Sequence, residues 1–255
     1  MTKHYIDLKK LKDKINIGFF TSNGGVSKRN FYSLNCGINT NDSKNNIKKN
    51  INIALSNLDL KNKKLILLNQ IHSNKVFIVN QNNSKKKLYG DGLITKDRNL
   101  ALGILTADCA PIFIFDSNNS IICALHSGWR GSLLNIVEKS ILKLKNRKIN
   151  LNKLIAVIGP CLGLKNFEVD SSFKFKFINK NKDYKKFFRE KNKNKDLFDL
   201  RGIINFQLKK AGIFKIYNIK KDTYKYNKKF YSYRRITQQN KIDTGRMINI
   251  ISLKD

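Results

Sequence analysis

Short apolar runs, separated by residues that favour turns, constrain the fold of this chain more than any other feature. Six runs of four or five residues are rich in branched side chains: Leu65–Leu68, Val76–Val79, Ala101–Leu105, Ile112–Phe115, Ile121–Leu125 and Leu154–Ile158. Runs of this length and composition favour buried strands over helices. Two longer segments, Ser132–Leu144 and Leu200–Ala211, have the spacing of amphipathic helices. Gly212 follows the second as a candidate C-terminal cap. The sequence predicts a mixed α/β fold with much sheet.

Nothing in the sequence divides the chain. It has no internal repeat and no linker rich in Pro, Gly or Ser, so we expect a single domain over residues 1–255. The most charged stretch, Lys174–Asp196, has Phe side chains interleaved with Lys. We interpret it as an amphipathic pair of helices with Phe inward and Lys outward, in preference to a surface that stacks single-stranded nucleic acid.

The charge is strongly positive, at +33 from 51 Lys and Arg against 18 Asp and Glu. Nucleic acid or an anionic membrane would fit such a charge. The excess, however, is mostly Lys spread through every segment, whereas a nucleic-acid groove requires clustering. We therefore expect a solvated Lys-rich surface with no specific nucleic-acid partner, which steers anionic substrates.

Cysteine spacing and hydropathy indicate the compartment. The four cysteines show no CxxC spacing and imply no disulfide framework, so a reducing environment is the simpler interpretation. Residues 1–14 are polar and resemble no secretory signal. The most apolar stretch, from Leu100 to Phe115, is interrupted by Asp108 and Pro111 and cannot span a bilayer. We expect a cytoplasmic protein with no membrane partner.

Two histidines and one cysteine are the side chains best suited to chemistry. His72 and His126 each follow an apolar run, and Cys109 lies between two such runs where Pro111 interrupts the regular backbone. His4 lies in a polar stretch, and we expect it to be exposed and without a role. One Cys and two His are suitable ligands for a catalytic zinc that keeps a position open for water or substrate. A thiol hydrolase with Cys109 as nucleophile and His126 as base would use the same side chains.

Other residues supply candidates for proton transfer and anion binding. Asp108 is a candidate general base, or else a partner to a histidine ring. Arg130 has a guanidinium suited to binding phosphate. The Gly24-Gly25 pair could cradle an anion with backbone N–H groups. Other candidate anion contacts are Arg234, Arg235 and Arg246.

The motifs around these residues resemble those of the laccase-domain proteins. The matching motifs are Gly24-Gly25-Val26-Ser27, Ser33-Leu34-Asn35, Gln70-Ile71-His72-Ser73, Asp91-Gly92-Leu93-Ile94-Thr95, Thr106-Ala107-Asp108-Cys109-Ala110-Pro111, His126-Ser127-Gly128-Trp129-Arg130-Gly131, Ile158-Gly159-Pro160-Cys161, Phe167-Glu168-Val169, Ser232-Tyr233-Arg234-Arg235 and Thr244-Gly245-Arg246. They follow the family's order and extend over nearly the whole chain. Proteins of this family are called multicopper polyphenol oxidase, zinc-dependent purine nucleoside phosphorylase and, in some bacteria, peptidoglycan editing factor.

The resemblance implies a layered fold of β-sheets flanked by helices, with His72, Cys109 and His126 as zinc ligands. It adds Asn35 to the candidate substrate contacts. It also implies phosphorolysis of adenosine, inosine and S-methyl-5′-thioadenosine, with adenosine deamination as a side activity. The partners would then be a small-molecule nucleoside and phosphate.

The sequence also allows other functions. A multicopper centre needs more imidazoles than three histidines supply, although a single copper remains an alternative to zinc. A hydrolase that edits peptidoglycan precursors is a second alternative. A basic nucleic-acid-binding protein is an alternative of another class, and it rests on charge alone.

The chain departs from the family pattern at a few positions. Ser22 stands close to the place where the family has an Arg before its Gly-Gly-Val-Ser motif. Asp222-Thr223 replaces a common Cys-Thr pair, and Ser127 replaces an Ala. None of these departures affects the three implied ligands.

Overall fold

The computed structural model describes residues 5–6, 11, 15–118 and 120–254. His4 lies outside these residues. The strands are β1 (Tyr5–Ile6), β2 (Ile15–Phe20), β3 (Lys64–Ile66), β4 (Val76–Ile78), β5 (Gly92–Thr95), β6 (Leu100–Thr106), β7 (Ala110–Asp116), β8 (Ile122–Ser127), β9 (Leu154–Ile158), β10 (Glu168–Asp170), β11 (Phe188–Asn192), β12 (Lys195–Phe198), β13 (Lys215–Asn218) and β14 (Met247–Leu253). The α-helices are α1 (Lys44–Asn57), α2 (Trp129–Leu133), α3 (Ile136–Lys145), α4 (Phe173–Ile178), α5 (Leu200–Lys210) and α6 (Tyr233–Gln238). None of the helices in the described ranges is long and apolar enough to cross a membrane.

Most of the strands form two mixed sheets. The first sheet has the order β1-β2-β14-β6-β3, and the second has the order β13-β9-β7-β8-β5-β4. The central pairs of both sheets are antiparallel, whereas β3 and β6, β4 and β5, and β13 and β9 pair in parallel. A small third sheet has the order β10-β12-β11. Strands β6, β7, β8 and β14 are buried at every residue, which is expected when both faces of a sheet are covered.

The two large sheets pack face to face around an apolar layer. Alternation along β7 shows this arrangement, because Phe113 and Phe115 point into the layer between the sheets while Ile112 and Ile114 point to the opposite face. The rings of Phe19 on β2 and Phe113 lie 4.9 Å apart between centroids and join the two sheets. Helix α1 covers the outer face of the first sheet. Helices α3 and α5 cover the outer face of the second sheet. This single domain of layered sheets flanked by helices confirms the fold class expected from the sequence.

The structure contains the strands and the two helices predicted above, but several begin or end at other residues. Each of the six apolar runs contributes to a strand: β3, β4, β6, β7, β8 or β9. The helix expected from Ser132 begins instead at Ile136, because Asn135 adopts a left-handed conformation (φ 52°) and its side chain accepts a hydrogen bond from the Glu138 N–H. The short helix α2 precedes this break. Helix α5 ends as predicted, with Gly212 left-handed at φ 93°.

The helix pair predicted for Lys174–Asp196 is wrong. The segment contains the short helix α4, a 3₁₀ turn over Lys182–Phe187, and the hairpin of β11 and β12. A hairpin is favoured because Phe188 and Phe198 stack across it, with centroids 5.0 Å apart and planes inclined by 23°. Phe177 packs against both rings and is buried, whereas Phe175 is 54% exposed. Only part of the aromatic set therefore faces inward.

We expect Phe113→Ala to lower the free energy of unfolding by about 3–5 kcal/mol, because it opens a cavity between the two sheets. Urea unfolding of chelator-treated protein measures this change without a contribution from bound metal. Phe214→Ala is the control, since that ring is 74% exposed and its loss should change the free energy by no more than about 0.5 kcal/mol. A decrease of less than about 1 kcal/mol in the free energy of unfolding of Phe113→Ala would show that the layer between the sheets contributes little to stability.

Candidate metal centre

A cleft of about 710 Å³ opens beside the ends of the strands that carry the predicted ligands. His126 lies near the end of β8, and Cys109 lies in the connection between β6 and β7. His72 lies in the loop before β4. All three line the cleft. Backbone pairing explains part of this convergence, because Pro111 and His126 are register partners between β7 and β8.

The structure brings the three predicted ligands together. One ligand atom from each of His72, Cys109 and His126 lies within 4.8 Å of the other two. Cys109 Sγ is 3.9 Å from His72 Nε2, and the two imidazole rings meet edge to face with centroids 5.0 Å apart. His126 is buried, Cys109 is half-buried and His72 is exposed, so the group extends from the protein interior to the solvent. No other group of three such side chains occurs within the described ranges.

The carboxylate of Asp91, immediately before β5, organises two of these side chains. Its Oδ1 lies 2.8 Å from His126 Nδ1 and accepts a hydrogen bond from the His72 N–H at 3.0 Å. Its Oδ2 accepts hydrogen bonds from the Ser73 N–H at 2.6 Å and the Ser73 hydroxyl at 2.7 Å. The Asp91 carbonyl also accepts from the His126 N–H at 2.8 Å. Asp91 is fully buried, so these bonds fix both histidines in a medium where polar contacts are strong.

The backbone is specialised around the three side chains. His72 and Asp108 are left-handed, at φ 57° and 89°, a conformation that non-glycine residues rarely adopt. Three successive N–H groups, from Ile71, His72 and Ser73, point at the Asp91 carboxylate and hold the His72 loop in place. Gly128 is also required, because a Cβ there would lie 2.6 Å from Cys109 Sγ. The local sequence therefore leaves room for the thiol at the cleft floor.

Electrostatics set Cys109 apart from the other cysteines. Burial by itself raises the pKa of the Cys109 thiol, but the His126 and His72 rings outweigh burial and lower this pKa to about 6. Burial by itself lowers the pKa of His126, but Cys109 and Asp91 raise it to about 9. Burial raises the pKa of Cys36, and it also raises the pKa of Cys123 although a hydrogen bond with Ser140 opposes it. Near neutral pH, Cys109 is therefore biased towards the thiolate, which is the form that binds metals.

The donor set fits a metal ion. Asp91 occupies Nδ1 of His126, which leaves Nε2 as the free ring nitrogen. Tetrahedral zinc separates sulfur and nitrogen ligands by about 3.5 Å, so the 3.9 Å between Cys109 and His72 closes with a small side-chain movement. A carboxylate bonded to the outer nitrogen of a ligating histidine is the usual companion of such sites. These three side chains could hold one metal at the cleft.

Asp108 also lines the cleft but does not bond to a histidine ring. Its carboxylate accepts hydrogen bonds from the Thr223 hydroxyl at 2.6 Å, the Ser232 hydroxyl at 2.9 Å and the Arg234 N–H at 2.6 Å. Burial raises the pKa of this carboxyl above its usual range despite these donors. Asp91 therefore makes the contact with a histidine ring that the sequence also allowed for Asp108.

Two of the candidate arginines line the cleft with guanidinium groups open to a ligand. The Arg130 guanidinium lies over the Trp129 ring, 5.0 Å from its centroid, and no ion pair joins it to a carboxylate within the described ranges. The Arg234 guanidinium lies 5.5 Å from the Phe167 ring centroid, and its Nη1 donates to the Asn166 carbonyl at 3.3 Å. An aromatic ring thus supports the guanidinium group of each of these two cleft residues.

The other arginines are more fully engaged. Arg246 lines the cleft, but its Nη1 donates to the carbonyls of Thr244 and Gly245 and lies 3.7 Å from an Asp243 oxygen. Arg235 donates to three backbone carbonyls and is not part of the cleft lining. The structure therefore favours Arg130 and Arg234 over these two as anion contacts.

Gly24, Gly25 and Asn35 lie outside the cleft lining. The Gly25 N–H donates to the Ser33 hydroxyl at 3.0 Å, and a Cβ at Gly25 would lie 2.4 Å from the Ser33 carbonyl oxygen. The side chain of Asn35 accepts from the Gly37 and Arg246 N–H groups and donates to the Thr40 hydroxyl. Residues 37–40 line the cleft, so Asn35 shapes one wall from behind.

Sequence reasoning missed the part played by Asp91 and the aromatic wall of the cleft. Asp91 begins the motif Asp91-Gly92-Leu93-Ile94-Thr95, and the only sequence signal for its role is that it is one of just 18 acidic residues and precedes an apolar stretch. Trp129 and Phe167 were motif residues as well, and nothing in their local spacing indicates that they support Arg130 and Arg234. No sequence pattern in residues 37–40 indicates that this loop lines the cleft.

Comparisons with known proteins identify the family of this chain. Residues 16–254 match the sequence profile of the family described as multi-copper polyphenol oxidoreductase laccase. A protein of Rickettsia conorii named purine nucleoside phosphorylase is 38% identical over 173 residues, which cover 67% of this chain and 70% of the relative. A Haemophilus influenzae protein of the same name is 31% identical over 240 residues, which cover 92% and 94%.

A solved structure extends the likeness to the fold. The hypothetical protein YfiH of Bacillus licheniformis superposes with a TM-score of 0.90 at 26% identity, over 99% of this chain and 97% of that protein. The profile match covers nearly the whole chain, and the described fold agrees with it. The chain therefore belongs to the multi-copper polyphenol oxidoreductase laccase family.

Proposed function

We propose that this chain is a zinc-dependent purine nucleoside phosphorylase, with one catalytic domain over residues 1–255. The observation that carries the proposal is a group of three side chains that could hold a metal, in a cleft that Arg130 and Arg234 also line. Its substrates are adenosine, inosine and S-methyl-5′-thioadenosine, and adenosine deamination is a side activity. The names of the Rickettsia and Haemophilus relatives support the reaction class.

Zinc is the proposed metal, with a single copper as the alternative. One thiolate and two imidazoles suit zinc, and a site with three protein ligands is typical of catalytic rather than structural zinc. A multicopper centre needs several groups of imidazoles, whereas the described residues contain one group and the whole chain has three histidines. The donor set therefore supports one metal per chain and argues against oxidase chemistry at a copper cluster.

Phosphorolysis requires a phosphate held near the anomeric carbon and stabilisation of charge on the departing base. We assign the phosphate to Arg130 and Arg234, whose guanidinium groups lie on aromatic rings at the cleft wall. Asp108 is the only carboxylate among the described lining residues, and its oxygens already accept hydrogen bonds. The cleft is therefore cationic, which favours an anionic co-substrate. When bound, zinc would supply a Lewis acid at the cleft floor.

The proposal includes a cytoplasmic location and no specific nucleic-acid partner. Nucleosides and inorganic phosphate are small cytoplasmic solutes, and all four cysteines are unpaired, as expected in a reducing compartment. The spread of Lys over all segments supports a solvated surface.

We expect release of free base from adenosine and inosine to depend on phosphate and to yield ribose 1-phosphate. Chelation should abolish turnover and zinc should restore it. Cys109→Ala should lower kcat/KM by roughly 100-fold or more, because the metal contributes several kcal/mol to such reactions. Chromatography of base and ribose 1-phosphate, with an ammonia assay for deamination, measures each product separately.

Cys123→Ala is the matched control for that experiment, because Cys123 is a buried cysteine on the same strand as His126 and should be dispensable for turnover. Alkylation tests the rival thiol-nucleophile mechanism, since a metal-bound thiolate reacts slowly until chelation exposes it. Turnover that survives complete zinc removal but is lost on alkylation of Cys109 would overturn the proposal. Ammonia release without phosphorolysis would make the enzyme a deaminase instead.

We expect Asp91→Asn to weaken zinc affinity by about 10–100-fold, because the amide cannot accept all the hydrogen bonds that orient His126 and the His72 loop. Competition with a chromophoric chelator measures the affinity. Asp116→Asn is the control, since Asp116 is a buried carboxylate at the opposite end of β7 that also accepts hydrogen bonds from two N–H groups and one hydroxyl. Equal zinc affinities in the two variants would show that Asp91 does not contribute to metal binding.

A further inference from the structure

We propose that Asp108 is a positioning residue whose carboxylate ties the Cys109 side of the metal centre to the segment that carries Arg234. It thereby sets where the cleft holds phosphate. The sequence offered Asp108 as a general base, and the geometry points to a different task. The inference rests on the proposed function for the identity of the anion, but its central test measures phosphate binding without turnover.

All three donors to the Asp108 carboxylate come from one distant part of the chain. The Thr223 hydroxyl donates to Oδ1, and the Ser232 hydroxyl and the Arg234 N–H donate to Oδ2. These donors lie 115, 124 and 126 residues from Asp108 in sequence. Thr223 and Ser232 are fully buried. The carboxylate therefore holds residues 223–234 against the connection between β6 and β7.

Arg235 links the two ends of residues 223–234 by hydrogen bonds. Its guanidinium donates to the carbonyls of Thr223, Tyr224 and Phe230. The half-buried side chain of Arg235 thus closes the turn before α6. A shift of the segment at Ser232 must carry Arg234 with it, because Ser232 caps α6 and accepts from the Arg235 N–H.

The other end of the link is the metal centre. Asp108 directly precedes Cys109, and its left-handed backbone is fixed by a hydrogen bond from the Leu162 N–H to its carbonyl at 2.9 Å. The side chain of Arg234 lies on Phe167 and donates to the Asn166 carbonyl. Asp108 therefore connects a candidate ligand on one side of the cleft to a candidate phosphate contact on the other.

The same bonds count against proton transfer by Asp108. A carboxylate has about four lone-pair positions, and three of these already accept hydrogen bonds from buried or backbone donors. A general base needs a free lone pair aimed at the proton that it removes. A positioning role needs only hydrogen-bond partners. In Asp108→Asn the amide oxygen can accept from the Ser232 hydroxyl and the Arg234 N–H, and the amide N–H can donate to the Thr223 hydroxyl oxygen.

A double-mutant cycle on the zinc-loaded full chain tests the link, with calorimetry of inorganic phosphate as the readout. Asp108→Ala should weaken phosphate binding roughly tenfold. In an Arg234→Ala background the same change should cost less than about twofold, because Asp108 acts through Arg234. In an Arg130→Ala background it should keep its full effect. Ser232→Ala should give a smaller loss of phosphate affinity with the same dependence on Arg234. This variant replaces Asp108→Ala in the cycle if Asp108→Ala fails to fold.

Asp108→Asn separates positioning from catalysis. We expect it to restore phosphate affinity to within about threefold of the wild type and to leave kcat at saturating phosphate within the same range. A general base would instead lose roughly 100-fold or more in kcat in both the Ala and the Asn variants, with phosphate affinity unchanged.

Three results would overturn the positioning role. One is an Asp108→Ala or Ser232→Ala effect of equal size with and without Arg234. Another is a general-base pattern in Asp108→Asn. The last is a wild-type protein that binds no phosphate. A protein that shows the predicted cycle but turns over no nucleoside would refute the proposed function alone.

Discussion

The buried carboxylate of Asp91 is the interaction on which the candidate site depends. It accepts hydrogen bonds from the His126 ring and from the N–H groups of the His72 loop, so one side chain fixes two of the three metal-ligand candidates. The arrangement needs β5 and β8 to pair, because the Asp91 carbonyl also accepts from the His126 N–H. Sheet register and ligand orientation are therefore set at the same place.

The layers of the fold keep this polar cluster at an edge of an apolar core. Phe113 and its neighbours fill the space between the sheets, and the connection from β6 to β7 leaves that core at Asp108 and Cys109. Polar groups there find partners on other segments, as Asp108 does at Ser232. The cleft between these segments has cationic walls and no carboxylate with free oxygens among its described lining residues. The strongly positive surface adds a long-range attraction for small anions.

Much of the fold could be predicted because buried strands are short, apolar and rich in branched residues. The break at Asn135 could not be predicted, since the apolar periodicity of Leu133 and Ile136 continues across it. The segment from Lys174 to Asp196 was predicted wrongly because Phe residues spaced this way suit a helix or a hairpin equally. Packing of Phe177 and Phe188 against Phe198, a contact between separate elements, decides for the hairpin.

Part of the candidate site could also be predicted from the apolar runs. His72, Cys109 and His126 stand at the ends of apolar runs, and the structure places them together. The contact between Asp91 and His126 joins the residue just before β5 to a residue of β8, 35 positions away, and it follows only from the register of β5 with β8. The sequence offered Asp108 as the nearest acid in the chain, whereas the fold brings Asp91 to the ring.

X-ray absorption spectroscopy at the zinc edge, on protein purified without added metal, tests the central claim most directly. The account predicts about one zinc per chain, with one sulfur ligand at about 2.3 Å and nitrogen or oxygen ligands at about 2.0–2.1 Å. The sulfur contribution should disappear in Cys109→Ala. A protein without zinc, a zinc shell without sulfur, or a sulfur shell that persists in Cys109→Ala would contradict the assignment of His72, Cys109 and His126 as the metal site.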